Sequence, residues 1–151
     1  MAGPARSAST PDLEDFLCFA IYTAGHAFNR VYKPLLAELD LTYPQYLVMV
    51  ALWLEDDQTV GGLGEKLYLE SSTLTPLLKR LESAGLLSRK RDKQDERQVR
   101  VRLTQKGAAM RAKARTVGEC VFEATGMSET ALRRLQGDIS ALRDTLLKNA
   151  A

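Results

Sequence analysis

Histidine and cysteine are scarce in this chain, one His and two Cys among 151 residues. A structural zinc centre takes about four Cys or His ligands at paired spacings. His26, Cys18 and Cys120 show no such pairing, and no metal or other cofactor is expected. There is no Gly-rich phosphate loop and no Ser/His/Asp constellation, so the chain is not read as an enzyme. No apolar run approaches the roughly 18–20 residues of a membrane span. Residues 1–11 carry one Arg and no apolar stretch. They are unlike a secretory signal and are expected to form a disordered tail. The chain is therefore expected in the reducing cytoplasm, where two cysteines do not make a permanent staple. They are either small buried hydrophobes or reactive thiols.

What is present is ordinary globular material, 45% hydrophobic and 26% charged, enough for one domain over 12–151. The net charge of +2 hides an uneven distribution. Residues 1–58 hold three Lys/Arg against eight Asp/Glu, residues 59–116 fourteen against six, and residues 117–151 four against five. A basic middle between acidic ends fits a nucleic-acid partner served by one part of the fold. On charge alone, a solvated surface is the plainer reading.

Apolar residues from Leu13 to Val31 recur every three or four positions, which predicts a helix over 12–32. Pro34 is expected to interrupt it or to open a new one. Thr42 and Gln45 form a capping box ahead of an apolar helix ending at Leu54. A short amphipathic helix is expected over 59–69, then a turn and cap at Glu70, Ser71 and Ser72. A further helix follows over 73–84, with Pro76 near its first turn and Gly85 as its stop. Residues 86–91 read as a strand. Residues 99–103 alternate strictly, with Val99, Val101 and Leu103 on one face and Arg100 and Arg102 on the other. Thr104 caps a long helix, Gly126 breaks it, and Ser128 opens the last one.

Two short helices joined by a tight turn, then a basic hairpin, is the order of a winged helix-turn-helix. The fold class is mainly α with a small β-hairpin wing. A DNA-binding part spans about 42–104 and flanking helices about 12–39 and 105–148. The second short helix would enter the major groove of duplex DNA. Ser71, Ser72, Thr73 and Thr75 place hydroxyls and free N–H groups at its tip, where the helix dipole favours phosphate. Lys79 and Arg80 follow on the same element. As caps at a solvated helix end, these residues would need no partner at all. In the hairpin, Arg89, Arg91, Lys93 and Arg97 are candidate DNA contacts, since a wing-tip Arg can reach the minor groove. Asp92 and Asp95 among them are expected to pair with Arg and stabilise the wing.

Asp95-Glu96-Arg97 after a basic strand, with Leu74-Thr75-Pro76-Leu77-Leu78-Lys79-Arg80-Leu81 before it, resembles the MarR family of winged-helix dimers. The segments around Cys18, Tyr32-Lys33-Pro34, Tyr43-Pro44-Gln45-Tyr46 and Gly64 to Leu69 resemble the organic-hydroperoxide-resistance repressors of the two-cysteine type. That resemblance covers roughly residues 13–145. It implies a homodimer built by the N- and C-terminal helices, repression of operator DNA in the reduced state, and release on thiol oxidation by an organic hydroperoxide. It also implies that Tyr32 and Tyr43 hydrogen-bond the sensing Cys18 and favour its thiolate. Cys18 and Tyr32 lie fourteen positions apart, about 21 Å along a helix axis, far beyond hydrogen-bond reach. The tyrosines must therefore serve the partner's cysteine. Cys120, by the same resemblance, resolves the oxidised Cys18 as a disulfide across the dimer, although some members carry that cysteine nearer the position of Glu123.

Three functions compete. The first is the thiol-switched repressor. The second is a MarR-type repressor released by a small aromatic ligand, with Cys18 a bystander. The third is a thiol peroxidase turning over at Cys18, which leaves the basic hairpin without a use.

Overall fold

Thr42, Thr59, Thr104 and Ser128 each begin a helix by one device. Their side-chain oxygens accept the backbone N–H three residues on, from Gln45, Gly62, Gly107 and Ala131. This satisfies a donor that the first helical turn leaves free. The computed structural model describes residues 11–150, so the expected tail lies almost wholly outside the described residues. In chain order the elements are α1 (Leu17–Ala37), α2 (Tyr43–Leu54), β1 (Gln58–Thr59), α3 (Val60–Leu67), α4 (Ser71–Ser83), β2 (Leu87–Arg91), β3 (Val99–Leu103), α5 (Gln105–Ala124) and α6 (Glu129–Asn149). A single 3-10 turn, Leu13–Asp15, precedes α1.

The core gathers where α2, α3 and α4 meet the sheet and α5. Val48, Met49, Leu52, Leu63, Leu74, Leu78 and Val101 are fully enclosed there. Each large side chain so buried contributes about 1.5–3 kcal/mol. Trp53 locks α2 to the start of α5, its Nε1–H donating to the Gly107 carbonyl at 2.8 Å. Gly107 is required at this junction, because a Cβ there would stand 1.9 Å from the Leu86 carbonyl oxygen. β3 lies between β1 and β2, antiparallel to both. Val101 faces the core, as the alternation predicts, and Arg100 and Arg102 face outward.

Several boundaries differ from the sequence reading. α1 runs unbroken through Pro34, because Leu36 is anchored in the core just beyond it and outweighs the single N–H that proline forgoes. Ser71 and Ser72 are the first two helical residues of α4, not a turn and cap. Glu70 occupies the cap position without a side-chain hydrogen bond, and Pro76 sits two residues deeper than expected. The hairpin is widened to three strands by β1, a two-residue strand too short for any periodicity. Gly85 and Gly126 do stop their helices, at φ +75° and +63°, a conformation that costs glycine little.

Two helices leave much of their apolar surface uncovered. α6 buries none of its residues, and α1 buries only Leu36. Leu17, Ile21, Phe28, Leu135, Ile139 and Leu146 are all exposed. A long apolar face left open on a described chain is the mark of an interaction surface.

Candidate nucleic-acid interface and thiol site

The basic ribbon is held at a fixed angle by acids from elsewhere in the chain. Asp57 sits at φ +57° in the corner between α2 and β1. Its carboxylate accepts from Arg100 Nε at 2.8 Å and pairs with Arg102 Nε at 2.9 Å, while its carbonyl accepts from Arg100 at 2.8 Å. The neighbouring Asp56 carboxylate accepts the Leu103 N–H at 2.8 Å. Hydrogen bonds from Arg102 and then Arg100 pull the Asp57 carboxyl down to about 2. Arg100 also reaches Asp92 at 3.2 Å. Asp92 is held below the ordinary carboxylate range by the Gln94 N–H and then by Arg100. Asp95 pairs with Arg97 at 3.2 Å and accepts that residue's N–H at 3.1 Å.

Asp56 and Asp57 read in the sequence only as the polar end of a helix. No local signal marks them, because their partners stand more than forty positions away.

The candidate DNA contacts separate into two groups. Ser71, Ser72 and Thr73 stand exposed at the tip of α4 and Lys79 along its outer side, with Thr75 half-buried behind them. Arg91, Lys93 and Arg97 are exposed on the ribbon, the Arg97 side chain at 92%. Arg89 is different. Its guanidinium is clasped by Glu82 at 3.1 Å and its N–H by the same carboxylate at 2.8 Å, which holds Glu82 below its usual range. Arg89 therefore ties the ribbon to α4. Arg80 faces the α1–α2 corner, sharing a hollow with Asp40, Thr42 and Gln45.

Three tyrosines converge where α1 meets α2. Tyr32 of α1 and Tyr43 of α2 lie with ring centroids 4.7 Å apart, and Tyr46 adds a third ring at 5.8 Å from Tyr32. The sequence assigns Tyr46 no role. It stands one turn after Tyr43 on the same helix face, which is the signal that places it here. Burial, then the neighbouring Tyr43 and Tyr46, push Tyr32 up to about 12, so its hydroxyl keeps its proton and can donate.

Both cysteines are free thiols. Cys18 is exposed at the second position of α1, and Cys120 is half-buried on α5. α1 and α5 run antiparallel. Val31 shares one groove with Val121, and Leu39 shares another with Lys113. Cys120 is thus level with Val31 and Tyr32. Cys18, thirteen positions before Val31, lies about 20 Å away along α1. Among the described residues, no three His, Cys, Asp or Glu side chains could hold a metal together. No described helix is long and apolar enough to cross a membrane.

A winged helix-turn-helix with a braced basic ribbon is the architecture of a DNA-binding regulator. The family described as transcriptional regulator SarA/Rot matches residues 30–113. The TtmR regulator of Methylorubrum extorquens is 48% identical over 89% of this chain and 69% of its own length. The organic hydroperoxide resistance transcriptional regulator of Bacillus subtilis is 42% identical over 89% of this chain and 91% of its own. Reduced AbfR bound to DNA superposes with a TM-score of 0.77 at 33% identity, covering 92% of this chain and 95% of that one. The chain belongs to the SarA/Rot family of MarR-like winged-helix transcriptional regulators.

Proposed function

We propose that the protein is a cytoplasmic redox-sensing repressor, a homodimer that binds operator DNA when reduced and releases it when an organic hydroperoxide oxidises Cys18. The observation that carries this reading is the separation of its parts. Tyr32, Tyr43 and Tyr46 cluster where α1 meets α2, while Cys18 of the same chain stands about 21 Å from Tyr32 along α1. A second chain packed antiparallel on α1 brings its own Cys18 to the tyrosines. The names of relatives agree with this. One is a hydroperoxide resistance regulator, and AbfR has been captured in a disulfide form.

The chemistry follows from these groups. Tyr32 and Tyr43 donate O–H to the partner's Cys18 sulfur and favour its thiolate, the nucleophilic form. The thiolate attacks the terminal oxygen of ROOH, the O–O bond breaks, the departing RO⁻ takes a proton from water and leaves as ROH, and Cys18 becomes a sulfenic acid. The Cys120 thiol then attacks that sulfur, an S–S bond forms and water leaves. Closing it requires Cα atoms within about 7 Å, so the helices shift and half-site spacing is lost. On the DNA, Ser71, Ser72, Thr73, Thr75 and Lys79 meet the major groove and its phosphates. Arg91, Lys93 and Arg97 meet the flanking minor groove, with Asp92 and Asp95 bracing the wing.

A second reading has its own observation. A groove of about 650 Å³ between α2 and α5 is lined by Tyr46, Trp53, Arg111 and Arg115, a fit for an aromatic carboxylate that would release DNA without touching Cys18.

Fluorescence anisotropy of the reduced protein on its own upstream DNA separates the readings. Cumene hydroperoxide at about one equivalent per chain should release the duplex. Dithiothreitol should restore binding, and Cys18→Ser should not respond. Binding that ignores the oxidant but yields to a phenolic acid would replace the thiol switch by the ligand reading. Peroxide turnover far beyond one equivalent would instead establish a peroxidase.

A further inference from the structure

We propose that Tyr46 and Trp53 are positioning residues that carry the state of the thiol site to the root of the wing. The inference rests on the thiol-switch reading above and names the path by which oxidation at α1 reaches the DNA-binding part.

Tyr46, Val50 and Trp53 recur four and three positions apart, which sets them on one face of α2. The Tyr46 ring lies 5.8 Å from Tyr32 and meets Trp53 edge-on at 6.4 Å. Trp53 Nε1–H donates to the Gly107 carbonyl at 2.8 Å, a buried bond between residues 54 positions apart. The Trp53 carbonyl accepts from Arg111 at 2.9 Å, so α5 grips this residue by side chain and backbone alike. Gly107 stands against the wing's root without slack. A Cβ on it would lie 1.9 Å from the Leu86 carbonyl oxygen, and that oxygen accepts the Thr104 N–H at 3.1 Å. The Thr104 hydroxyl accepts the Gly107 N–H and donates to the Gly85 carbonyl. Leu86 leads into β2 and Thr104 follows β3. An unbroken line of contacts therefore runs from Tyr32 to both strands of the wing.

Val48, Met49 and Leu52 fill the core beside this line and are fully enclosed. Tyr46 and Trp53 each stay 9% exposed and wall an open groove of about 650 Å³. The rings are held on the core side and have room to swing on the groove side. Packed side chains transmit strain along their line of contact, and an element with two arrangements couples the sites that bias it. In the reduced state Tyr32 is fixed by its bond to the partner's thiolate. Once Cys18 is drawn to Cys120 that bond is lost, Tyr32 is released, and the rings behind it shift together with the Gly107 carbonyl.

Trp53 is the sole tryptophan of the chain, so its fluorescence reports the line directly. In the full-length parent, about one equivalent of tert-butyl hydroperoxide per chain should shift the Trp53 emission and release the operator with the same dose dependence. Trp53→Phe keeps a ring in the line but loses the N–H to Gly107. Its reduced form should bind operator as the parent does, and its Cys18–Cys120 disulfide should form at the parental rate. Oxidation should weaken operator binding about fiftyfold in the parent and less than about fivefold in the variant, a loss of most of the coupling between sites. Linkage is reciprocal, so operator DNA should oppose disulfide formation in a glutathione titration of the parent and not of the variant. Tyr46→Leu, with its disulfide verified on a non-reducing gel, should lose the emission shift, and Tyr46→Phe should restore it. This second pair decides the matter if Trp53→Phe does not fold. Full release by oxidised Trp53→Phe, or an emission shift retained in oxidised Tyr46→Leu, would overturn the assignment and leave the thiol switch standing. A parent that keeps its operator in the presence of the oxidant would strike the thiol switch, and the relay with it.

Discussion

Tyr32 shows how one residue's surroundings set its work. A phenol ordinarily loses its proton near pH 10, but burial beside two other phenols pushes Tyr32 up to about 12. It therefore remains a donor throughout the physiological range. A group whose folded pKa is raised stabilises the fold fully below its unfolded value, and that contribution is lost as pH rises through the folded one. Stability should therefore fall between about pH 10 and about pH 12, and Tyr32→Phe should flatten that decline in denaturant titrations. If the proposed switch holds, the same substitution also removes a hydrogen bond to the partner's thiolate, worth about 1.5–3 kcal/mol. Stopped-flow oxidation of Cys18 should slow about tenfold or more while reduced-state DNA affinity is unchanged. Gly107 is constrained by space instead. A Cβ there meets the Leu86 carbonyl at 1.9 Å, and Gly107→Ala should cost about 2–3 kcal/mol in urea unfolding, the upper range for overpacking.

At the scale of elements, the wing is braced rather than merely attached. Three successive features of β3, the two guanidiniums and the Leu103 N–H, are gripped from the α2–β1 corner. Asp57→Asn should leave α4 intact yet weaken operator binding about tenfold, with faster amide exchange in β2 and β3. The Asp57 carboxyl is held down to about 2 from 3.8, so its contribution is complete above about pH 4 and disappears as pH falls through 2. Much of this architecture was legible beforehand. Capping threonines, stop glycines and the alternation of Val99, Val101 and Leu103 are local signals, and each forms the feature it announces. The brace was not legible, because Asp57 and Arg100 are 43 positions apart and nothing near either one names the other. Arg89 reads as a free cation for the same reason, its Glu82 partner lying a helix end and a turn away. Pro34 reads as a break because proline statistics are local, whereas the anchoring of Leu36 is tertiary.

At the scale of the whole molecule, the protomer is incomplete. α1 and α6 expose apolar faces, and Tyr32 lies about 21 Å along α1 from Cys18 of its own chain. Removing α6 after Gly126 should abolish dimerisation in light scattering and, with it, high-affinity operator binding, because paired half-sites need paired wings. The central claim is that the switch is completed between chains. It is tested most directly by exchanging subunits between Cys18→Ser and Cys120→Ser dimers, oxidising with one equivalent of cumene hydroperoxide, and running a non-reducing gel. A covalent two-chain species should form in the mixture and in neither parent alone. If the mixture stays as single chains while the oxidised unmutated protein holds its disulfide within one chain, the cross-dimer account is contradicted.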